Sequence, residues 1–376
     1  MYKLQAGRIR YLDFEICMDA IPDLKKIKGI GKGLIEKLTE FLSEGKIHRL
    51  EEVRNNPKRR AIRELKSIWG VGPSAAKKLL EAGFSNIEQV RKGIADGSLN
   101  LLTRNQLVGV ECYEDFQERF SRTEAQKIFE IVKARVVNMY PQAEVKIMGS
   151  FRRGKNSCGD VDIHITSPKY YDQVPTKINY LGGLVDVLFQ MNHLAFHLTY
   201  IKGSETGRKL EDFEMNTQKL PTHVWQAFTP VEDKSSGDHS SSSYMGVFNS
   251  PTVPGKRRRV DIKFYPYRER IFASLYFTGN GHFNRSMRLW AKCKFGWTLN
   301  DHGLFVDDAK TQPVMEEDVK DEKEIFDKLK LVWKEPKERD CFDAVTPKAG
   351  FAQLYESQDE TVVKSELRKE DGEWVH

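Results

Sequence analysis

The stretch that decides the fold is Gly149-Ser-Phe-Arg-Arg-Gly-Lys-Asn-Ser-Cys-Gly-Asp160-Val-Asp162-Ile-His-Ile165. Its second half alternates polar and apolar residues, which predicts a strand with Asp160 and Asp162 on one face and a core on the other. Two neighbouring carboxylates repel each other unless a cation lies between them, and oxygen ligands suit Mg²⁺ or Mn²⁺. The stretch therefore predicts a divalent metal site on a sheet.

The residues before this strand have the composition of an anion-binding loop. Gly149 and Ser150 end an alternating segment, Glu144–Ser150, and precede two arginines. Backbone N–H groups, a hydroxyl and guanidinium groups together can hold phosphate oxygens. The pattern predicts a triphosphate site next to the metal site.

A third carboxylate occurs far downstream, in the alternating segment Arg259–Tyr265. Asp261 there has the same in/out pattern as the first pair, and a third acid is what a two-metal site needs. A bare Asp-x-Asp pair would also fit a calcium-stabilised loop or an exposed strand, but neither alternative explains the loop and the third acid. Residues 121–140, by contrast, have helical periodicity.

Two segments near the N-terminus resemble each other: Ile27-Lys-Gly-Ile-Gly-Lys-Gly and Ile68-Trp-Gly-Val-Gly-Pro-Ser. In each, a glycine turn leads into an amphipathic helical stretch with lysines. The N–H groups of such a turn can hold a phosphate without reading a base. One copy could be an ordinary helix-turn-helix packing element, but two copies favour hairpins on a DNA backbone. The DNA contacts predicted are Gly29, Gly31, Gly70, Gly72, Lys77 and Lys78.

The segment Tyr276-Phe-Thr-Gly279 lies before a second helical stretch. An aromatic pair ending in glycine can stack against a sugar, although such a turn is also common as plain structure. Asn284 and Arg288 are four apart and share one helix face, from which they could reach a base pair.

Composition and charge restrict the class of protein. A chain of 376 residues is too long for one small hydrophobic core, which predicts two or more domains. The net charge is +6. Residues 1–100 hold 20 Lys and Arg against 13 Asp and Glu, whereas residues 314–376 hold 11 against 18. A basic front indicates a polyanionic partner. No apolar run could span a membrane, and no signal peptide is indicated. The five scattered cysteines predict reduced thiols, and His193 and His197 lack a third zinc ligand.

Taken together and in this order, the motifs resemble those of family X DNA polymerases, over roughly residues 22–346. The nearest patterns are polymerases beta and lambda and the fungal DNA polymerase IV group. The resemblance implies an α+β fold: a helical helix-hairpin-helix N-terminal region, a mixed-sheet nucleotidyltransferase palm and a small C-terminal α+β subdomain. The implied division is a truncated or divergent lyase-like domain at 1–53, a DNA-binding subdomain at 54–118, a palm at 119–267, a nucleotide-selection subdomain at 268–346 and a charged tail at 347–376.

The resemblance also implies residue roles. Asp160 and Asp162 would bind two Mg²⁺ or Mn²⁺ ions, and Asp261 the catalytic one. Ser150, Arg153, Gly159 and Arg119 would hold the triphosphate. Tyr276, Phe277 and Gly279 would line the sugar site, while Asn284 and Arg288 would check the base pair. Na⁺ or K⁺ would lie on the carbonyls of Lys66, Ile68 and Val71, and of Lys25, Ile27 and Ile30.

The implied activity is addition of dNTPs to a primer 3′-hydroxyl on gapped or broken double-stranded DNA, in base excision repair or end joining. Template-independent terminal transfer and a catalytically silent DNA-end scaffold are the alternatives, and the three aspartates argue against the scaffold. Lys37 matches the family's 5′-deoxyribose-phosphate lyase nucleophile, with Lys32 and Lys46 as neighbouring cations, but the helices that complete a lyase pocket are hard to find.

Other expectations concern location and partners. The Ser-rich segment Val231–Ser243 is expected to be a loop where family members place one between two palm strands. Longer versions of that loop are associated in relatives with end bridging or template-independent addition, and this one is of intermediate length. Gly255–Arg259 could be a nuclear signal, but is interpreted first as positive potential near the primer and nucleotide. The resemblance implies a nuclear monomer, away from membranes, with end-joining or ligase factors as partners.

Overall fold

The computed structural model describes residues 9, 12, 14–27, 30–172, 180–199, 242–307, 309–310, 312–315, 318–340 and 344–351. Gly29, most of the segment Val231–Ser243, Cys341 and most of the tail lie outside these residues. The chain divides into two compact units, Met1–Lys66 with Pro73–Gln89 and Ser67–Gly72 with Val90–His376.

The first unit is helical in its described part. Gly31 precedes α2, and Gly45, with a φ of 70°, ends it in the left-handed conformation that glycine adopts without strain. Leu24, Ile30 and Ile35 pack together in its core. Its helices, after a short turn at Met18–Ala20, are α1 Ile21–Leu24, α2 Lys32–Glu44, α3 His48–Asn55, α4 Pro57–Leu65, α5 Pro73–Glu81 and the start of α6 Ile87–Ala95.

The second unit contains the sheet and most of the remaining helices. Its helices up to the end of the sheet region are α7 Arg104–Glu111, α8 Tyr113–Gln117, α9 Arg122–Met139, α10 Gly149–Arg152 and α11 Tyr180–Gln190. Its strands are β1 Phe120–Ser121, β2 Glu144–Ile147, β3 Ser157–Cys158, β4 Asp160–Ser167, β5 Leu194–His197, β6 Ser243–Asn249 and β7 Arg257–Pro266.

Five of these strands form one mixed sheet in the order β2-β4-β7-β6-β5. The central pair, β4 and β7, is parallel, and the other pairs are antiparallel. The helices α9 and α11 cover the sheet with apolar side chains, because Ile128, Val132 and Leu188 share one buried cluster with Val161 and Ile262. Burial of these side chains from water is the main force holding this layer on the sheet.

The C-terminal part of the second unit has its own apolar core. Phe283, Met287, Trp290 and Phe326 are buried in it, and Trp290 donates a hydrogen bond to the carbonyl of Leu329 at 2.8 Å. Its elements are α12 Arg270–Thr278, α13 Gly281–Phe295, β8 Thr298–Leu299, β9 Leu304–Phe305 and α14 Glu322–Lys328.

The expected fold class is confirmed, since helices and a mixed sheet occupy the predicted regions. The expected helix at 121–140 is Arg122–Met139, and the hydroxyl of Ser121 caps it by accepting from the N–H of Glu124. The strand expected at Glu144–Ser150 ends at Ile147, because Gly149 turns the chain into α10. Among the described helices, none is long and apolar enough to cross a bilayer.

One buried ion-pair network holds the C-terminal part of this unit together. Glu322 is 5% exposed; it accepts from Ser274 at 3.0 Å, and pairs with Arg152 at 2.5 Å and with the fully buried Arg339 at 2.6 Å. The aromatic rings of Phe283, Phe326 and Trp333 surround the Arg339 guanidinium.

We expect Glu322→Ala to destabilise the protein by about 3–5 kcal/mol, because it leaves the buried Arg339 charge without its acid. Asp327→Ala on the same helix breaks only a surface pair with Lys348, and should cost about 0–1 kcal/mol. Denaturant unfolding of both variants measures the difference. Equal losses would contradict the assignment of the network as a buried one.

Candidate active site

The three predicted aspartates lie on the two central strands of the sheet. Because β4 and β7 are parallel, Asp162 pairs in register with Asp261, and Asp160 pairs with Arg259. The alternating residues Val161 and Ile262 point to the other face and are buried. The strand period of two thus places all three carboxylates on one face at neighbouring positions.

Gly149 allows the backbone of its segment to lie close to the carboxylate of Asp162. Its φ is +54°, and a Cβ on it would lie 1.7 Å from the Oδ2 atom of Asp162. Any side chain here would collide with the carboxylate, and the backbone conformation is also one that other residues rarely adopt. The N–H of Met148 donates to the carbonyl of Asp162 at 2.8 Å, which fixes this loop against β4.

Burial and mutual repulsion disfavour the charged forms of two of these acids. Burial raises the pKa of Asp261 to about 6. Burial, followed by the charges of Asp160 and Asp261, raises the pKa of Asp162 well above its ordinary value. The Oδ1 atom of Asp261 is buried and accepts no hydrogen bond from the described residues. A divalent cation would supply the missing partner for this oxygen and offset the repulsion.

Asp160 has a cation of its own. Its carboxylate accepts from Arg259 at 3.0 Å. Within the described part of the chain, no group of three or more His, Cys, Asp or Glu side chains is arranged closely enough to hold a metal ion as it stands. The donor set fits a hard divalent metal, while Asp160 must share its carboxylate with Arg259.

The residues predicted to hold a triphosphate lie on both sides of β3. Arg119 donates to the hydroxyl of Ser157 at 2.9 Å and also to its carbonyl, and a Cβ on Gly159 would lie 3.5 Å from Arg119. The hydroxyl oxygen of Ser150 is buried. Arg119, Gly159 and Ser157 therefore form one small wall, next to Asp160.

Arg153 makes contacts that the sequence did not suggest. Its Nε atom pairs with Asp340 at 2.7 Å, and its Nη1 atom donates to the carbonyl of Thr278 at 2.6 Å. Asp340 stands 187 positions away in an acidic segment, where no motif or spacing marks it. Its contacts place it among the residues of the site that sequence reasoning missed.

The predicted sugar and base-pair residues lie together at the junction of α12 and α13. Asn284 donates to the carbonyl of Tyr276 at 2.7 Å, and the Arg288 guanidinium lies 5.0 Å from the centre of the Tyr276 ring. The three side chains line a common cleft. Gly279 has a φ of 69°, and Phe277 is buried, with its ring 5.2 Å from the Lys263 ammonium.

The basic run Gly255–Arg259 is not a free positive patch, so that prediction is wrong for most of it. Arg258 is 3% exposed and donates to Glu124 at 2.8 Å. Arg259, the next cation along, forms an ion pair with an active-site acid, Asp160, and among the described ion pairs of the run it alone does so. Acids of residues 111–124 neutralise the rest: Lys256 pairs with Asp115 and Glu118, Arg257 with Glu111, and Arg258 with Glu118 as well as Glu124.

The two predicted hairpins contain the same turn. The N–H of Ile30 donates to the carbonyl of Ile27 at 3.0 Å, and the N–H of Val71 donates to the carbonyl of Ile68 at 3.0 Å. Gly70 is left-handed at a φ of 80°, whereas its counterpart, Gly29, lies outside the described residues. The equivalence of the turns agrees with the repeat in the sequence.

The lysines assigned to DNA and to lyase chemistry lie on helices of the first unit. Lys77 and Lys78 are exposed on α5. Lys37, on α2, donates to the carbonyl of Gly33 at 2.9 Å. Lys32 is about one and a half helical turns before Lys37, but Lys46 lies beyond the helix, whose last residue, Glu44, is roughly 10 Å along the axis from Lys37.

The raised pKa of Asp261 predicts a pH-dependent stability difference. In the metal-free protein the folded state holds the Asp261 proton more tightly than the unfolded state, so stability from this group is present at low pH and lost as pH rises through about 4 to 6. The Asp261→Asn variant does not lose this stability as pH rises, because asparagine does not titrate. We expect it to exceed the wild type in stability at pH 7.5, by about 3 kcal/mol at most, and to match it at pH 3.5.

Thermal unfolding in EDTA at both pH values measures the difference, and Asp172→Asn, an exposed site, is the control. Mg²⁺ or Mn²⁺ at pH 7.5 should then stabilise the wild type more than Asp261→Asn. A difference that does not change between the two pH values would count against the raised pKa.

Comparisons with known proteins agree with this geometry. The chain matches the fingers domain of DNA polymerase lambda at residues 63–117, the DNA polymerase beta palm at 119–267 and the DNA polymerase beta thumb at 273–340. DNA polymerase lambda of Rattus norvegicus is 29% identical over 355 residues, which are 90% of this chain and 54% of that protein.

DNA polymerase lambda of Arabidopsis thaliana is 30% identical over 334 residues, which are 87% of this chain and 55% of the relative. The chain spans about half the length of these relatives. With fingers, palm and thumb matched in order, and three aspartates in place on the palm sheet, the chain belongs to the family of DNA polymerases beta and lambda.

Proposed function

We propose that this protein is a DNA-directed DNA polymerase that adds a dNTP to a primer 3′-hydroxyl with release of pyrophosphate. The observation that carries the proposal is the in-register pairing of Asp162 with Asp261, with Asp160 on the same face. In-line phosphoryl transfer depends on positioning and charge stabilisation, and three convergent carboxylates are suited to both.

Asp160, Asp162 and Asp261 would hold two Mg²⁺ or Mn²⁺ ions. Such ions, when bound, lower the pKa of an attacking hydroxyl and offset the charge of the leaving pyrophosphate. Arg119, Ser150, Gly159 and Arg153 would bind the triphosphate. Tyr276, Phe277 and Gly279 would orient the sugar, and Asn284 and Arg288, on one face of α13, would contact the new base pair and template.

The DNA would be held by backbone contacts without base reading. The two equivalent turns, with Gly31, Gly70, Gly72, Lys77 and Lys78 around them, are suited to two stretches of phosphate backbone. Na⁺ or K⁺ ions on the carbonyls of Lys25, Ile27 and Ile30, and of Lys66, Ile68 and Val71, would bridge to phosphates. Two such grips favour a short gap or a broken end as substrate.

We expect Asp261→Asn to reduce primer extension by at least about 10³-fold, because it removes one carboxylate of the site that stabilises the transferring phosphoryl group. Its affinity for gapped DNA should stay within about twofold of the wild type, since Asp261 is buried and is not one of the backbone-contacting residues proposed for the DNA. Single-turnover extension and fluorescence anisotropy measure the two quantities. Asp172→Asn is again the control, and surviving extension in Asp261→Asn would refute the site.

The form of the substrate is open to a direct comparison. Extension on one-nucleotide-gapped, open-template and single-stranded DNA, with Mg²⁺ and with Mn²⁺, separates gap filling from terminal transfer. Preference for the gap supports the proposal, whereas efficient extension of single strands would favour the template-independent alternative. DNA binding without extension of any substrate would favour the scaffold.

A 5′-deoxyribose-phosphate lyase activity is a second proposal, favoured by the position of Lys37 on α2 directly after the first hairpin. A lysine nucleophile would form a Schiff base with the sugar aldehyde. Borohydride trapping on 5′-deoxyribose-phosphate DNA should give an adduct that Lys37→Ala loses and Lys46→Ala keeps. No adduct, or one that Lys37→Ala retains, would sink the lyase proposal and leave the polymerase proposal intact.

The cellular setting follows from the resemblance alone. We propose a nuclear monomer that acts in base excision repair or end joining, alongside end-joining or ligase factors. The division into segments 1–53, 54–118, 119–267, 268–346 and 347–376 is proposed on the same basis. The nuclear location does not rest on Gly255–Arg259, because that run is engaged in ion pairs.

A further inference from the structure

We propose that Asp340 is a positioning residue for the incoming nucleotide, because its carboxylate joins two parts of the site. One is the turn after α10 that would hold the triphosphate (the triphosphate arm), and the other is the turn after α12 that would hold the sugar (the sugar arm). The inference rests on the polymerase function proposed above. It adds a residue outside every motif of the chain to the nucleotide-binding machinery.

The contacts of Asp340 all lead to the nucleotide site. Its Oδ1 atom accepts from the Nε atom of Arg153 at 2.7 Å and from the amide of Asn280 at 3.1 Å. Its Oδ2 atom pairs with Lys155 at 2.7 Å. Arg153 and Lys155 belong to the turn that follows α10, and Asn280 directly follows Gly279 of the sugar turn. One side chain therefore reaches both arms.

The orientation of Arg153 follows from these contacts. Its Nε atom donates to Asp340 and its Nη1 atom donates to the carbonyl of Thr278. These two hydrogen bonds fix the orientation of the guanidinium plane. Among the described residues no hydrogen bond engages its Nη2 atom, so this atom can donate to a phosphate oxygen of the nucleotide. A guanidinium held by two protein partners loses less rotational freedom when it binds phosphate.

Asp340 stays ionised in this setting. Burial opposes its charge, but the hydrogen bond with Lys155 and the charge of Arg153 hold the pKa of Asp340 below its ordinary value. The side chains of Asp340 and Arg153 are 18% and 13% exposed, so water screens their pairing only in part. A charged acceptor, rather than a neutral one, therefore holds the arginine.

The alternative is a purely structural role for Asp340, and the neighbouring ion-pair network of Glu322 is an example of such a role. Arg152 pairs with Glu322, which is buried and also paired with the buried Arg339. Arg152 also donates to the hydroxyl of Thr278, so that network joins α10 to α14 and to the sugar turn, but it includes none of the predicted nucleotide contacts. Asp340, by contrast, contacts Arg153 directly and reaches the sugar turn through Asn280.

The test is steady-state extension of gapped DNA by Asp340→Asn. We expect the KM for dNTP to rise about 10- to 100-fold, because a charge-assisted hydrogen bond that orients the ligand arginine is weakened. The kcat should change by less than about threefold, and the inhibition constant for pyrophosphate should rise with KM, since pyrophosphate engages the same arm. DNA affinity should not change.

Asp318→Asn is the matched control. It breaks a comparable two-point pair with Arg270, at 2.7 and 3.1 Å, in the same C-terminal part but away from the nucleotide contacts. It should leave the KM for dNTP and the pyrophosphate constant unchanged. Asp340→Glu keeps the charge and should recover part of the KM, which covers the case in which Asp340→Asn folds poorly.

Three results would overturn the inference. An unchanged KM and pyrophosphate constant in Asp340→Asn would remove any positioning role. Tighter dNTP binding would mean that Asp340 competes with the triphosphate for Arg153. Parallel losses of kcat and melting temperature at constant KM would make the pair structural. Failure of the proposed function is distinct, because the wild-type protein would then extend no primer at all.

Discussion

The parallel pairing of β4 with β7 is the constraint on which the site depends. Its register sets Asp162 directly beside Asp261, and burial of both makes their charged forms costly. Apolar packing on the opposite face, through residues such as Val161 and Ile262, holds the strands in place despite that repulsion. A one-residue slip of either strand would turn the carboxylates of that strand into the core, so the alternation of apolar residues also stabilises the observed register.

Local features of this arrangement could be predicted from the sequence. The period of two on both strands, the helix after Ser121 and the glycine turns depend on nearby residues, and each lies where it was expected. The need for glycine at position 149 could be anticipated only in part. Sequence indicated a phosphate loop there, whereas the contact that excludes a side chain comes from Asp162, thirteen residues later.

Long-range polar contacts could not be predicted, because charge in a sequence carries no information on its partner. Gly255–Arg259 looked like free positive potential, yet acids of α7, α8 and α9 neutralise Lys256, Arg257 and Arg258. Asp340 looked like one acid among many in a negative segment. The strand order of the sheet was likewise beyond reach, since the pairing partner of a strand depends on the whole chain.

The palm core and the C-terminal core are separate apolar clusters, and ion pairs are among the contacts that join these two parts of the chain. Two adjacent arginines form these ion pairs. Arg152, at the end of α10, binds the buried Glu322, and Arg153, in the turn after α10, binds Asp340. Polar links can break and re-form without exposing apolar surface to water, which a shared hydrophobic core could not do. Under the proposed function, a nucleotide bound between the two arms would meet groups that ion pairs already join, and the charge of its triphosphate would act directly on them.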